Sequence, residues 1–295
     1  VSRRTLSGRL RRLREATGLT ATDVARRLGI QTSTVTRWER GDWMRPDPRN
    51  VEQLLDVYGV TDEAERASMV ALAAAGHEEG WWHLWRSRMP APYPDYIALE
   101  AGASKLWTCD PQHIPPLLQT EDYARASMAG RYPHLGGPGS EPIEEHVMVL
   151  RRRQRLLTGD DPLEVWAVID ATALLRPLPG LGAAEMAAQL AELRRLGERP
   201  NVVIQILPWE AGTASAVNPF TILRFRQPMA PEAGWVLTTH GAELLDDEGA
   251  VRRLEVAWSH LLRVALPRKD SMKFLEEVAG RTNNPWPVGG DATIG

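Results

Sequence analysis

TATDVARRLGIQTSTVTRWERG, residues 20 to 41, decides the reading of the N-terminal part of this chain. Thr20 is placed to cap a helix, with Asp23 three residues on to return a bond to the Thr20 backbone. Val24, Ala25 and Leu28 then fall on one face of that helix and are small enough for another helix to cross them closely. Gly29 supplies a tight turn and Ile30 plugs the core below it. Thr34 to Glu39 continue as a second helix with Val35 and Trp38 inward, while Thr32, Ser33, Thr36 and Arg37 project from the other side. Short hydroxyls and one guanidinium suit a helix that reads base edges in a DNA major groove. The layout is that of a helix-turn-helix unit.

The flanks support this. Upstream, LSGRLRRLREATGLT (residues 6 to 20) gives an amphipathic helix with Leu6, Leu10 and Leu13 on its buried side, closed by Gly18. Downstream, PRNVEQLLDVY (residues 48 to 58) places Val51, Leu54 and Leu55 at helical spacing, and Thr61 to Ala75 makes a fifth helix. In this order the segment resembles the phage-repressor type of helix-turn-helix regulator, the Xre family, over roughly the first quarter of the chain. The resemblance implies base-edge contact by Thr32, Ser33 and Arg37, with Thr36 a weaker candidate. Arg37 leads because a guanidinium bonds a guanine edge at two points. Gln31, Arg40 and Arg45 are placed for phosphate contact, which positions without reading sequence. It also implies an ion pair between Arg14 and Glu39. Ala21 stands where the family commonly has a phosphate-anchoring Gln.

Charge divides the chain in the same way. Residues 1 to 58 carry 12 basic and 7 acidic side chains, about +5, and the remainder carries 23 and 31, about −8. Only the first part reads as a phosphate binder. At 295 residues the chain has room for a second sizeable core. No apolar run approaches the roughly 20 residues needed to cross a bilayer, and the start lacks the apolar segment of a signal peptide, so a cytosolic protein without membrane contact is expected. The single Cys109 forbids an internal disulfide and a multi-cysteine zinc site.

Beyond Gly76 the pattern changes to aromatics and prolines between short helical stretches. Ala98 to Trp107 and Thr120 to Met128 read as helices, and a longer one runs from Pro142 to Leu157 with Arg151, Arg152, Arg153 and Arg155 near its end. That cluster reads as a solvated helix end or a salt-bridged surface in preference to a second nucleic-acid patch. Glu164 to Asp170, Asn201 to Leu207, Phe220 to Phe225 and Trp235 to Thr239 read as strands. The helix Ala183 to Leu196 between the first two permits a parallel pair, and the last two suit a hairpin. Glu248 to Leu266 and Ser271 to Val278 add closing helices. The expected fold is mainly α: a five-helix, phage-repressor-like domain over residues 1 to 75, an α+β regulatory or interaction domain over 76 to 281, and a flexible tail over 282 to 295.

No HExxH, P-loop, paired-cysteine spacing or GxSxG elbow is present, and neither an enzyme nor a cofactor is predicted. His77 and His83 fall on different helical faces. Cys109 and His113 are four apart, but Pro111 between them breaks a helix, so packing roles are favoured over a redox or metal site. Trp81, Trp82, Trp85 and Trp107 fill a core or line an apolar groove, with helical spacing favouring the core. Pro208 to Pro219 joins two strands through small residues that reshape easily around a small-molecule ligand or a partner.

Taken together, Gly80 to Trp82, Tyr96 to Ala126, Arg151 to Leu157, Val165 to Pro177 and Pro200 to Gly212 resemble a large actinomycete family over nearly the whole chain. Those proteins join an Xre-type domain to a C-terminal domain of unknown function and are described as antitoxin-like transcriptional regulators. The resemblance implies a regulator of double-stranded DNA, with a small companion protein encoded nearby. The chain departs from the family pattern at Cys109, His113, Leu237 and His240. A homodimer that reads a palindromic operator is the first expectation. The alternative is an antitoxin-like interaction protein that neutralises its companion and binds DNA only for autoregulation.

Overall fold

A computed structural model describes residues 2–41, 47–75, 89, 92–176, 178–215, 217–226, 232–238 and 241–281. Arg45, His77, His83, His240, Thr239, the tryptophans at 81, 82 and 85, and the tail from residue 282 lie outside the described residues. The described chain falls into two compact units divided between Pro94 and Asp95.

The first unit is helical: α1 (Ser2–Ala16), α2 (Ala21–Leu28), α3 (Thr32–Glu39), α4 (Pro48–Val57) and α5 (Glu63–Ala75). Local chemistry sets their ends. Thr20 accepts a hydrogen bond from the Asp23 N–H while the Asp23 carboxylate accepts one from the Thr20 N–H, a complete capping box. Gly29 stops α2 at φ 66°, a conformation that a Cβ would strain, and its N–H bonds the Ala25 carbonyl. Asp47 caps α4 ahead of Pro48, whose missing N–H costs nothing at a first helical position. Leu6, Leu10, Val24, Val35, Val51, Leu54, Leu55 and Met69 form one core, with Leu13, Leu28, Ile30 and Trp38 packed around it.

The second unit is α+β. Its helices are α6 (Tyr93–Ala101), α7 (Glu121–Arg131), α8 (Glu141–Gln154), α9 (Ala171–Leu175), α10 (Ala183–Gly197), α11 (Glu248–Val264) and α12 (Arg268–Arg281). Its strands are β1 (Lys105–Asp110), β2 (Glu164–Asp170), β3 (Val202–Leu207), β4 (Phe220–Arg224), β5 (Ala233–Thr238) and β6 (Gly241–Leu245). They form one mixed sheet in the order β3-β2-β1-β4-β5-β6. β1, β2 and β3 run parallel, and β4 to β6 form antiparallel pairs from β1 outward. Alternation places Trp107, Cys109, Trp166, Val168, Leu207, Phe220 and Ile222 on one face, where Val251, Trp258 and Leu261 of α11 cover them. β3 is closed along its edge by the turn into α12: the Leu266 N–H bonds Ile206 O at 2.8 Å, and the Ile206 N–H bonds Ser271 Oγ at 2.9 Å.

Three sequence expectations need correction. The helix expected over Ala98 to Trp107 ends at Ala101, and Lys105–Asp110 is a strand. Pairing with β2 on one side and β4 on the other makes this the central strand of the sheet, and those ladders override a local pattern that fits either period. β6 was not foreseen because Gly241–Leu245 has little β-branched character; it forms by pairing with β5. Arg153, expected at a solvated helix end or a salt-bridged surface, is ion-paired but only 3% exposed.

Candidate nucleic-acid interface

α3 is the element to which sequence reasoning assigned DNA contact. Thr32, Ser33 and Arg37 are exposed, and Val35 is buried beneath them. Thr36 is half-buried and its Oγ1 donates to the Thr32 carbonyl at 3.1 Å, which engages the hydroxyl within the helix. Gln31 is the N-cap residue of α3, exposed and without a capping side-chain bond. Arg37 and Arg40 are exposed, and among the described residues neither enters an ion pair. By contrast Arg26 of α2 is tied to Asp23 at 3.2 Å. The outward side of α3 thus presents two hydroxyls and an unneutralised guanidinium on a rigid base, the equipment for base-edge and phosphate contacts.

What fixes α3 in the unit is a fork between Arg14 and Glu39. Arg14 Nε and Nη2 donate to the two Glu39 oxygens at 2.7 and 2.9 Å, and Nη1 donates to the Leu19 carbonyl at 2.8 Å. Glu39 ends α3, where the helix dipole disfavours an anion, so the Arg14 charge offsets an otherwise adverse placement. The Glu39 hydrogen bond is also the leading reason that the Arg14 guanidinium is held above its ordinary pKa, against desolvation. Tyr58, at the end of α4, sets its hydroxyl 3.5 Å from Glu39 Oε1. Burial, with the Glu39 charge, pushes that phenol well above its usual pKa, so it stays a neutral donor. Sequence reasoning found the ion pair through the resemblance and missed Tyr58, for which nineteen residues of separation leave no local signal.

In the second unit Asp110 and His113 are hydrogen-bonded and Cys109 is buried. Asp110, at the end of β1, accepts the N–H groups of Gln112 and His113 at 2.9 and 3.0 Å and Arg131 Nη2 at 2.7 Å. Burial pushes its carboxyl up, but the His113 hydrogen bond, the Arg131 charge and the Gln112 N–H together hold it below the ordinary carboxylate range. The same Arg131 nitrogen lies 2.5 Å from His113 Nδ1. Cys109 is buried, and burial, reinforced by Asp110 and Asp170, pushes its thiol far above the usual value. Cys109 and His113 thus have separate surroundings, and no group of metal-ligating side chains suited to an ion occurs among the described residues. Trp107 stacks on Trp258 at 5.7 Å between ring centres and carries the Arg224 guanidinium at 3.8 Å, a packing role.

Residues 5–69 match the family model of a helix-turn-helix domain, and residues 93–277 match that of a domain of unknown function, DUF5753. The second match spans more than half of the chain. The protein belongs to the DUF5753 family. Its N-terminal unit is a helix-turn-helix domain of a kind that binds DNA and serves regulation. No curated protein and no solved structure matches the chain. Among the described residues no helix is long and apolar enough to cross a membrane.

The DUF5753 domain has its own Arg–Glu fork, which no sequence pattern announced. Arg153 Nε and Nη2 donate to the Glu100 oxygens, both at 2.7 Å, with Glu100 fully buried. Tyr96 Oη donates to the same carboxylate at 2.7 Å, and the Tyr96 ring stacks on Trp235 of β5 at 4.6 Å. Gln154, next to Arg153, donates to the Gln119 carbonyl at 2.7 Å, while Gln189 of α10 accepts the Thr120 N–H and donates to the Leu118 carbonyl. These bonds clamp the Pro-rich segment 114–120 and so satisfy backbone groups that it buries. The rest of the arginine run is superficial, with Arg151 paired to Glu121 at 3.0 Å.

Proposed function

We propose that the protein is a sequence-specific transcriptional regulator of the phage-repressor type that binds double-stranded DNA through residues 1–75. The observation that carries this is α3: Thr32, Ser33 and Arg37 exposed on a helix whose end is locked by Arg14 and Glu39. Arg37, Thr32 and Ser33 contact base edges, with Thr36 contributing its methyl group because its hydroxyl is engaged. Gln31, Arg40 and Arg45 contact phosphates. The protein works in the cytoplasm as a homodimer on two half-sites about one helical turn, ~34 Å, apart. Residues 76–281 mediate dimerisation and receive a small companion protein or a ligand, as in the antitoxin-like actinomycete regulators that the sequence resembles. No catalytic step is assigned to the chain.

Fluorescence anisotropy on DNA from upstream of its own gene, beside a scrambled duplex and at two salt concentrations, tests the reading. Specific binding that is lost in Arg37→Ala supports it, and equal weak binding to every duplex sinks it. The division of labour between regulation and neutralising a companion is read from the breadth of occupied genomic sites: many sites for a regulator, its own promoter alone for an autoregulated antitoxin.

A further inference from the structure

We propose that the outward stripe of α11 in the DUF5753 domain is a docking surface for an acidic, amphipathic protein segment. This deepens the reading in which that domain engages a companion protein, and it rests on it. α11 turns Val251, Trp258 and Leu261 into the core and leaves Arg252, Val256, Ser259 and Arg263 exposed on its other side. Val256 is 67% exposed, the most exposed large hydrophobic side chain among the described residues. It sits in a shallow groove of about 550 Å³ lined, among the described residues, by Arg252, Glu255, Val256, Ser259 and Arg263.

Charge identifies the occupant. The carboxylate in the groove, Glu255, shares Arg224 with Glu232, and Arg252 and Arg263 outnumber it within the lining, so the net charge of the stripe is cationic. Arg252 and Arg263 stand at its two ends, eleven residues or ~16 Å apart along the helix, with Val256 between them. The chain beyond residue 58 is net acidic, so this stripe opposes the sign of its own surroundings. Its complement is a segment with an apolar centre flanked by carboxylates about three turns apart. A second copy of α11 is a poor occupant, because apposed stripes place guanidinium against guanidinium. Nucleic acid is a poor one as well, since a phosphate backbone gains nothing from an apolar Val256 at the middle of the contact.

The test uses full-length protein and two labelled helical peptides of equal length, each with leucine on one face, one flanked by glutamate and the other by lysine. Anisotropy should show the glutamate peptide binding about tenfold or more tightly than the lysine peptide, with the difference shrinking as salt is raised. Val256→Asp should weaken the glutamate peptide by about tenfold. The pair Arg252→Glu and Arg263→Glu should reverse the preference toward the lysine peptide. These side chains are exposed, so the variants should melt with the wild type. Equal binding of both peptides, or a preference that the variants leave unmoved, overturns the proposal. A third probe, the upstream DNA duplex, separates the two readings. Intact specific DNA binding without peptide preference sinks only the docking surface, whereas peptide preference without specific DNA binding sinks only the regulator. A fall in DNA affinity in the double charge reversal assigns the stripe to phosphate contact and also overturns docking.

Discussion

Each unit contains an Arg–Glu fork, and the two forks hold different things in place. In the helix-turn-helix unit, Arg14 and Glu39 remain 14% and 8% exposed and fix a helix whose outer side is left open. In the DUF5753 domain, Arg153 and Glu100 are 3% and 0% exposed and hold α8 against α6 within the domain. The first fork positions groups that face outward, Arg37 above all. The second is completed by Tyr96, which bonds the same carboxylate, while Gln154 and Gln189 bond backbone groups of the Pro-rich segment. A buried polar group is therefore a weak guide to function in this chain, and an exposed unneutralised cation on a rigid helix is a better one.

The sharpest way to break that comparison is to cut both forks. Glu100→Gln keeps the shape but strands the Arg153 charge in the core, and should cost about 3–5 kcal/mol in urea unfolding followed by tryptophan fluorescence. Arg14→Ala should cost less, about 3 kcal/mol, because its pair retains more contact with water, yet it should also abolish specific DNA binding. If Glu100→Gln proves as mild as a surface change, the internal character assigned to the second fork is wrong. Arg37→Ala tests the outward side: about 1–3 kcal/mol lost on the specific duplex and a relaxed preference at one base pair, with an unchanged melting temperature.

Asp110 sharpens the contrast through pH. Its folded-state pKa lies below the unfolded value, so its contribution is fully present above about pH 4 and is lost as pH falls through the folded value. The stability difference between wild type and Asp110→Asn, from urea midpoints across pH, should be flat near neutrality, about 1–3 kcal/mol, and should close in acid. A difference that grows in acid would contradict the assignment. The smallest expected effect concerns Cys109: with the thiol buried and protonated, iodoacetamide should label it only after unfolding, and peroxide should leave DNA binding unchanged. Rapid labelling of the native protein would place a reactive group where the structure has a packed one.

The helix-turn-helix unit was legible because its determinants are local. Thr20 with Asp23, Gly29, and Val24 with Ala25 and Leu28 act within a few residues of one another, and each takes the expected place. The central strand of the second unit was not legible, since Lys105–Asp110 is a strand by virtue of partners 59 residues away on one side and well over a hundred away on the other. The arginine run at residues 151 to 155 shows the same limit from another angle. Four like side chains within five residues read as surface, and only the turn of α8 selects Arg153 to point at Glu100.

The sequence by itself determined the cap and turn that bound α2, the outward placement of Thr32, Ser33 and Arg37 on α3, the segregation of positive charge to the N-terminal part, and four of the six described strands. Those follow from capping, glycine backbone freedom and hydrophobic period, all of which act over one or two turns of chain. Tertiary structure alone decided the order of the sheet, the burial of Glu100 with Arg153, the reach of Tyr58 to Glu39, and the meeting of Glu255 of α11 with Arg224 of β4. Each of these joins residues distant in sequence, and such pairings form only where packing has already excluded water and brought the partners within hydrogen-bond distance.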